Sequence, residues 1–207
     1  MRDRRDRPEV RLSPAKFLDK DLIRLNLILS ALFLFCFEVL KYSIVEDVKD
    51  YLMEVFEFEE ARKEITSLEM LLDEMEHRQE RVAAACEKRL KDLDRNRWRA
   101  SCLLLKEIGV ISEKDLDDLD EIRKHRNEIA HELPQLLIDE HLDVNLWHLS
   151  RMREILGKLE EWRISMEVSV RPDLAGKEMR SSRIIVVDHI LSTALSSVSQ
   201  DEEEGAA

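Results

Sequence analysis

From Ala15 to Ile108 the chain has neither glycine nor proline. Nothing in that stretch favours the positive-φ turns of hairpins or forbids a helix interior, so its elements must be bounded by caps and by changes of hydrophobic period. Only four glycines and four prolines occur in the 207 residues. The rest is rich in Leu, Glu, Arg, Lys and Ala, a helix-forming composition without the turn chemistry of a sandwich or barrel, and it predicts an all-α fold with almost no strand.

The apolar run "LIRLNLILSALFLFCFEVL", Leu22 to Leu40, resembles a membrane span only at first reading. Its most apolar part, Leu27 to Phe37, is about half of the roughly 20 residues a span requires, and Arg24 and Glu38 lie inside the longer window. A buried helix is expected, with no membrane partner. "SIVE", Ser43 to Glu46, has the form of a capping box, so a first helix over about 19–42 is expected to end there and a second to begin.

Beyond Ile44, Ile65, Leu68, Leu72, Met75, Gln79, Val82 and Cys86 step by three and four, the seam of a helix that packs on a partner helix in the same bundle or in a second chain. A continuous helix of about 40 to 50 residues would reach on the order of 60 to 75 Å, so this one must dock, project or break near "DLDRNRW". "WRASCLLLKEIG" reads as a helix ended by Gly109. Ser112, with Asp115 three residues on and Ile111 placed to staple onto Leu116, starts the next, which Pro134 ends near Leu133.

Apolar residues at Leu146, Leu149, Met152, Ile155, Leu156, Leu159 and Trp162 predict a further helix. "SVRPDLAGK" breaks it, and a last helix is expected over 182–198, although "RIIVV" alone has the composition of a strand. The organisation read from these signals is an arm at 1–18, a helical domain at 19–168 with a long helix or coiled-coil section near 44–95, a linker and C-terminal helix at 169–198, and a disordered acidic tail at 199–207.

The net charge is −12, which argues against an indiscriminate nucleic-acid coat. The charge is unevenly spread, however: Arg78 to Lys106 holds nine Lys and Arg against Glu80, Glu87, Asp92 and Asp94. Trp98, between Arg97 and Arg99 and close to Arg95, is the one aromatic residue in that run; RNA could contact these four, although a helix tryptophan more often belongs to a core. Cys36, Cys86 and Cys102 are odd in number and lack ligand spacing, which predicts reduced thiols in a cytoplasmic protein and no zinc site. No Gly-rich phosphate loop, DNA-specific motif or cofactor signature is present.

"RKHRNEIAHELP", Arg123 to Pro134, concentrates the chemistry. At 100° per residue, Leu119, Ile122, Ile129 and Leu133 share one apolar sector, with Arg126 beside them. A guanidinium there must find a carboxylate, snorkel out or border a groove that another surface closes. Arg123, Asn127 and His131, at steps of four, form an adjacent polar stripe, and the arrangement could hold a phosphate. His131 lies in the last turn among free carbonyls, and an imidazole suits proton transfer near neutral pH. Taken alone, His131 is better read as a residue that complements the helix dipole.

"RNEIAH", Arg126 to His131, resembles the Arg-X4-6-His motif of the HEPN superfamily, including the polar residue after the arginine, here Asn127. The resemblance covers about 19–168 and implies a HEPN-like helical bundle with long antiparallel helices, dimerised so that two motifs face one cleft. In active members that cleft is a metal-independent endoribonuclease site. The resemblance implies that Arg126 binds the scissile phosphate, His131 transfers a proton as the 2′-hydroxyl attacks, and Asn127 positions either, giving a 2′,3′-cyclic phosphate and a 5′-hydroxyl.

Implied partners are RNA, a second copy of the chain, and a cognate antitoxin or inhibitor protein, in a toxin–antitoxin or phage-defence setting. Arg123 and Lys124 extend the RNA-binding set. One toxin branch carries a tyrosine two residues after the histidine; here that position is Leu133, so regulation by modification of that tyrosine is not expected. The alternative is a non-catalytic HEPN-like helical dimer acting as scaffold or regulatory partner. His125 is expected on the solvated side of its helix, and His141 and His148 at loop and helix surfaces.

Overall fold

A computed structural model describes residues 18–61, 68–139, 142–174 and 182–204, together with Ser13 and Lys16, with side chains outside 61–76 and 194–204. The described residues are predominantly helical, without a β-strand. The elements are α1 (Lys20–Tyr42), a π-helical turn (Ser43–Asp47), α2 (Val48–Ala61), α3 (Leu68–Leu93), α4 (Arg97–Glu107), α5 (Glu113–Leu136), α6 (Leu146–Val170), a 3-10 turn (Pro172–Leu174) and α7 (Ser182–Glu204).

The capping box expected at Ser43 does not form. Tyr42 is helical (φ −58°, ψ −49°) and makes no side-chain cap, and Ser43, Ile44 and Asp47 are buried in a π-turn that carries α1 into α2. With no glycine or proline to end it, the backbone keeps its helical hydrogen bonding; Ser43 is buried, and Glu46, partly exposed, faces Lys49 and Arg97 instead. The helix path from Lys20 to Glu60 includes a window apolar and long enough to cross a membrane by length and composition, of which 33% is buried.

The chain forms two compact units, and α1, α5 and α6 each contribute one part to each. The first unit takes Met1–Glu38, Asp118–Glu154 and Arg180–Ala207. Its core includes Leu29, Phe33, Leu119, Ile122, Ile129 and Met152, so three of the four residues assigned to the apolar stripe of the motif helix are fully buried. Arg151 and Asp118, both largely buried, pair at 2.7 Å between α6 and α5. Arg153 grips Asp188 of α7 with two bonds, 2.5 and 2.8 Å. Lys16 reaches the link before α6, donating to the carbonyls of Asp139 and Leu142 and to the Asp143 carboxylate.

The second unit takes Val39–Asp117 and Ile155–Met179, with Leu40, Ile44, Val48, Val82, Leu105 and Leu159 among its buried residues. The stretch after Ile44 contributes α2 and α3 to this unit, and these two helices pack against each other. Arg78 of α3 donates to the carbonyl of Glu57, and Arg81 pairs with Glu60, both on α2. Val82 and Cys86 of the expected seam are buried, Gln79 is exposed, and Ile65, Leu68, Leu72 and Met75 lie outside the described side chains. The helix ends near "DLDRNRW", where Asn96, extended at φ −85°, ψ 114°, caps α4 by accepting from the Arg99 amide.

Gly109, at φ +80°, closes the end of α4, a conformation that disfavours any side chain. Ser112 and Asp115 then form a reciprocal cap: the Asp115 amide donates to Ser112 Oγ at 3.2 Å, and the Ser112 amide and hydroxyl donate to Asp115 Oδ2 at 2.8 and 2.7 Å. The same carboxylate, almost wholly buried, receives Lys158 Nζ from α6 at 2.7 Å. One local signal in the sequence thus also fixes a contact between two helices of this unit.

The last helix carries "RIIVV" in α-conformation and continues to Glu204. Val187 is buried, while the side chains of Ala194 and Val198 lie outside the described residues. Leu146, assigned to the apolar face of α6, is 55% exposed: it stands at the first residue of the helix, where the stripe runs off the end of the packed surface.

Candidate functional site

α5 presents Arg123, Lys124, Arg126, Asn127 and His131 within the first unit. Its expected end at Pro134 is modified. The helical conformation fails at Glu132 (φ −121°, ψ 20°), and Pro134 lies in a short final turn that runs on to Leu136. A proline cannot bond to the carbonyl four residues back and its ring clashes with it, so the helix breaks before Pro134, which then occupies a first turn where a missing N–H is tolerated. His131 stands immediately before the break and is exposed.

Arg126 meets the requirement that its position imposes. Its Nη2 donates to Glu38 Oε1 at 2.8 Å, its Nη1 to Asn127 Oδ1 at 3.3 Å, and its guanidinium carbon lies 5.5 Å from the centre of the Phe37 ring. Its Nε is buried with no hydrogen-bond partner among the described residues. One edge of the fork is occupied by a carboxylate and one face rests on an aromatic ring. Arg123, half-buried, lies 3.7 Å from Asp120 and also has a buried, unpartnered Nε. Lys124 and Asn127 are exposed.

His125 and His148 are not the surface residues expected. His148 is 7% exposed, and the Phe33 edge meets the His125 ring at 5.0 Å. Nε2 of His125 accepts from the Asn145 amide at 3.0 Å, so in the neutral ring the proton is on Nδ1, 3.3 Å from Glu128. Asn145 in turn caps α6, its Oδ1 accepting from the Trp147 amide. His148 lies 5.4 Å from His125, ring to ring, with its Nδ1 buried and unpartnered. Burial, and then the neighbouring His125, hold the His148 imidazole below its ordinary range against the pull of Glu121, Asp118 and Glu128. The helical wheel hid this cluster because the side of α5 that carries His125 is polar in sequence yet is covered by Phe33. His141 lies outside the described residues.

Arg95, Arg97, Trp98 and Arg99 stand at the entry to α4, in the second unit. Much of the basic stretch there is matched by carboxylates: Arg89 with Glu107 at 2.6 Å, Lys91 with Glu87 at 2.7 Å, Arg99 with Asp94 at 3.6 Å, Arg97 with Glu46 at 4.0 Å, and Lys106 with Glu113. Trp98 is half-buried. Cys36, Cys86 and Cys102 are buried and form no disulfide among the described residues, and burial pushes the Cys36 thiol up to about 11. No group of three potential metal ligands occurs among the described residues.

Sequence inspection overlooked Glu38 and Phe37 as parts of this site, although the signal was present. Glu38 is an acid set into an apolar run, and Arg126 a base on an apolar stripe; two such misfits in one chain are natural partners. No family model matches the chain, and neither a curated protein nor a solved structure matches it.

Proposed function

We propose that this chain is a HEPN-type endoribonuclease that works as a homodimer in the cytoplasm, without a metal, as a toxin or phage-defence effector held in check by a partner protein. The observation that carries the reading is that Arg126, Asn127 and His131 lie on one helix, with the Arg126 guanidinium resting on Phe37 and donating to Asn127 and to Glu38. A guanidinium held in this way is suited to meet the charge that develops on a phosphate during displacement. His131, exposed one residue before the helix breaks, is free to exchange a proton with the ribose 2′-hydroxyl or the leaving oxygen. A second copy would complete the cleft, and Arg123 and Lys124 would hold flanking phosphates.

The test is cleavage of RNA by purified protein in EDTA, with Arg126→Ala, Asn127→Ala and His131→Ala in parallel. Loss of cleavage in the Arg126 and His131 variants, with products ending in a 2′,3′-cyclic phosphate, is the expected result. Cleavage that persists in both, or that EDTA abolishes, removes the reading.

The second reading, a non-catalytic helical dimer serving as scaffold or regulatory partner, is favoured by the Arg126–Glu38 pair itself. An arginine that bridges two helices and rests on an aromatic ring has a sufficient structural reason to be there. It predicts that Arg126→Ala lowers stability and that RNA is untouched by wild type and variant alike.

A further inference from the structure

Within the second unit, α2 and α3 leave a groove of about 230 Å³ between them. Met53 of α2 and Ala83, Cys86 and Leu90 of α3 form its apolar lining. Cys86 and Leu90 are buried at the bottom, whereas Met53 is half-buried and Ala83 exposed at the lip. Ala83 to Leu90 covers about two helical turns, which is room for two or three apolar side chains spaced as on a helix.

The rim is unbalanced in charge. Lys49, Lys91, Arg95 and Arg97 stand against Glu87 and Asp94, four cations to two carboxylates, on a chain whose net charge is −12. Glu87 is taken by Lys91 at 2.7 Å and Asp94 by Arg99 at 3.6 Å, and Lys49 and Arg97 share the single Glu46 carboxylate at 3.7 and 4.0 Å, whereas no described carboxylate pairs with Arg95. The positive surplus therefore lies where the groove opens toward α4.

We propose that this groove docks an acidic amphipathic helix of a partner protein, its apolar residues entering over Met53, Ala83 and Leu90 and its carboxylates meeting Arg95, Arg97 and Lys49. Helix-in-groove recognition uses anchors at i, i+3 or i+4 and i+7, and a methionine and arginines beside an apolar floor are the composition of such contacts. RNA fits less well. The lining has no aromatic ring on which a base could stack, and Glu87 and Asp94 would face phosphates. The inference does not depend on the nuclease reading, since no residue of the α5 motif lines the groove.

The probe is a synthetic helical peptide of leucine, alanine and glutamate with its leucines on one face. A counterpart with lysine for glutamate and a single-stranded oligoribonucleotide serve as comparisons, each titrated into the isotopically labelled full chain. The glutamate peptide is expected to shift the backbone amides of Met53, Ala83 and Leu90, and its affinity to fall about tenfold or more, roughly 1.4 kcal/mol, in Arg95→Glu combined with Arg97→Glu. Ala83→Leu, at an exposed position that retains the fold, should fill the groove and weaken binding similarly, with an unchanged melting temperature as the control. Equal binding of the lysine peptide, shifts confined to other residues, no binding at millimolar peptide, or stronger shifts of the same amides by RNA overturns the proposal. Self-association that disappears in the Arg95→Glu, Arg97→Glu protein would also overturn it, by giving the groove to a second copy.

Discussion

Arg126 Nη2 holds Glu38 Oε1 at 2.8 Å, while the Nε of the same guanidinium is buried without an acceptor. On the proposed nuclease reading, the carboxylate competes with the phosphate that Arg126 would receive. Glu38→Gln is therefore expected to raise RNA cleavage by up to about fivefold, the factor that a partly exposed ion pair of about 1 kcal/mol represents, with little change in melting temperature. Steady-state cleavage rates of wild type and variant check this; a fall in rate would assign Glu38 a positioning role instead.

His148 is buried, and its imidazole titrates below the ordinary value of 6.5. The folded chain therefore binds this proton less readily than the unfolded chain does. The stabilisation is complete above pH 6.5 and is lost as pH falls through that value toward the lower native one. Denaturant midpoints measured from pH 8 to pH 5 should decline on the acid side, and His148→Phe, placed beside Phe33 and Trp147, should flatten the decline. An equal decline in the variant would locate the effect elsewhere.

Asp115 serves two structures at once, capping α5 through Ser112 and receiving Lys158 from α6. Ser112→Ala removes only part of the cap and should destabilise by about 1 kcal/mol. Asp115→Ala, which also leaves the ammonium without its acceptor, should destabilise by about 3 kcal/mol. Urea unfolding of the two single variants distinguishes these outcomes, and equal effects would mean that Lys158 contributes nothing.

Arg151 and Asp118 form a largely buried pair between α6 and α5. Arg151→Ala leaves the Asp118 carboxylate buried without its cation and is expected to lower stability by about 3 kcal/mol, whereas replacing both by leucine should recover most of the loss. Thermal unfolding of the single and double variants reads this directly. A double variant no more stable than the single one would point to lost packing rather than to the stranded charge.

The helices and the main packing stripes were legible because their signals are local and periodic: the missing glycines and prolines, the Ser112–Asp115 cap, and the spacing of Leu119, Ile122 and Ile129. Local signals misled where a neighbour decided the outcome. Ser43 and Glu46 satisfy the pattern of a cap, yet the helix continues, because no signal in the pattern measures whether the backbone has reason to stop. His125 and His148 are polar by type and of intermediate burial in general, and only the approach of Phe33 and the Asn145 amide half-buries His125 beside the buried His148. For the candidate site, the wheel placed Arg126 correctly at an apolar border, but the identity of its partner required three-dimensional proximity between residues 38 and 126.

The π-turn at Ser43–Asp47 has a consequence for tolerance to insertion and deletion. An extra residue in an α-helix turns every later side chain by about 100°, and a π-turn is the local way to absorb one without ending the helix. Within the second unit, Val48 and Leu52 are buried after the turn as Leu40 is before it. A chain shortened by one residue between 43 and 47 could still form a helix of unbroken α-geometry, but its two apolar stripes would no longer keep their present angular offset. This segment should accept conservative replacement far more readily than any change of length.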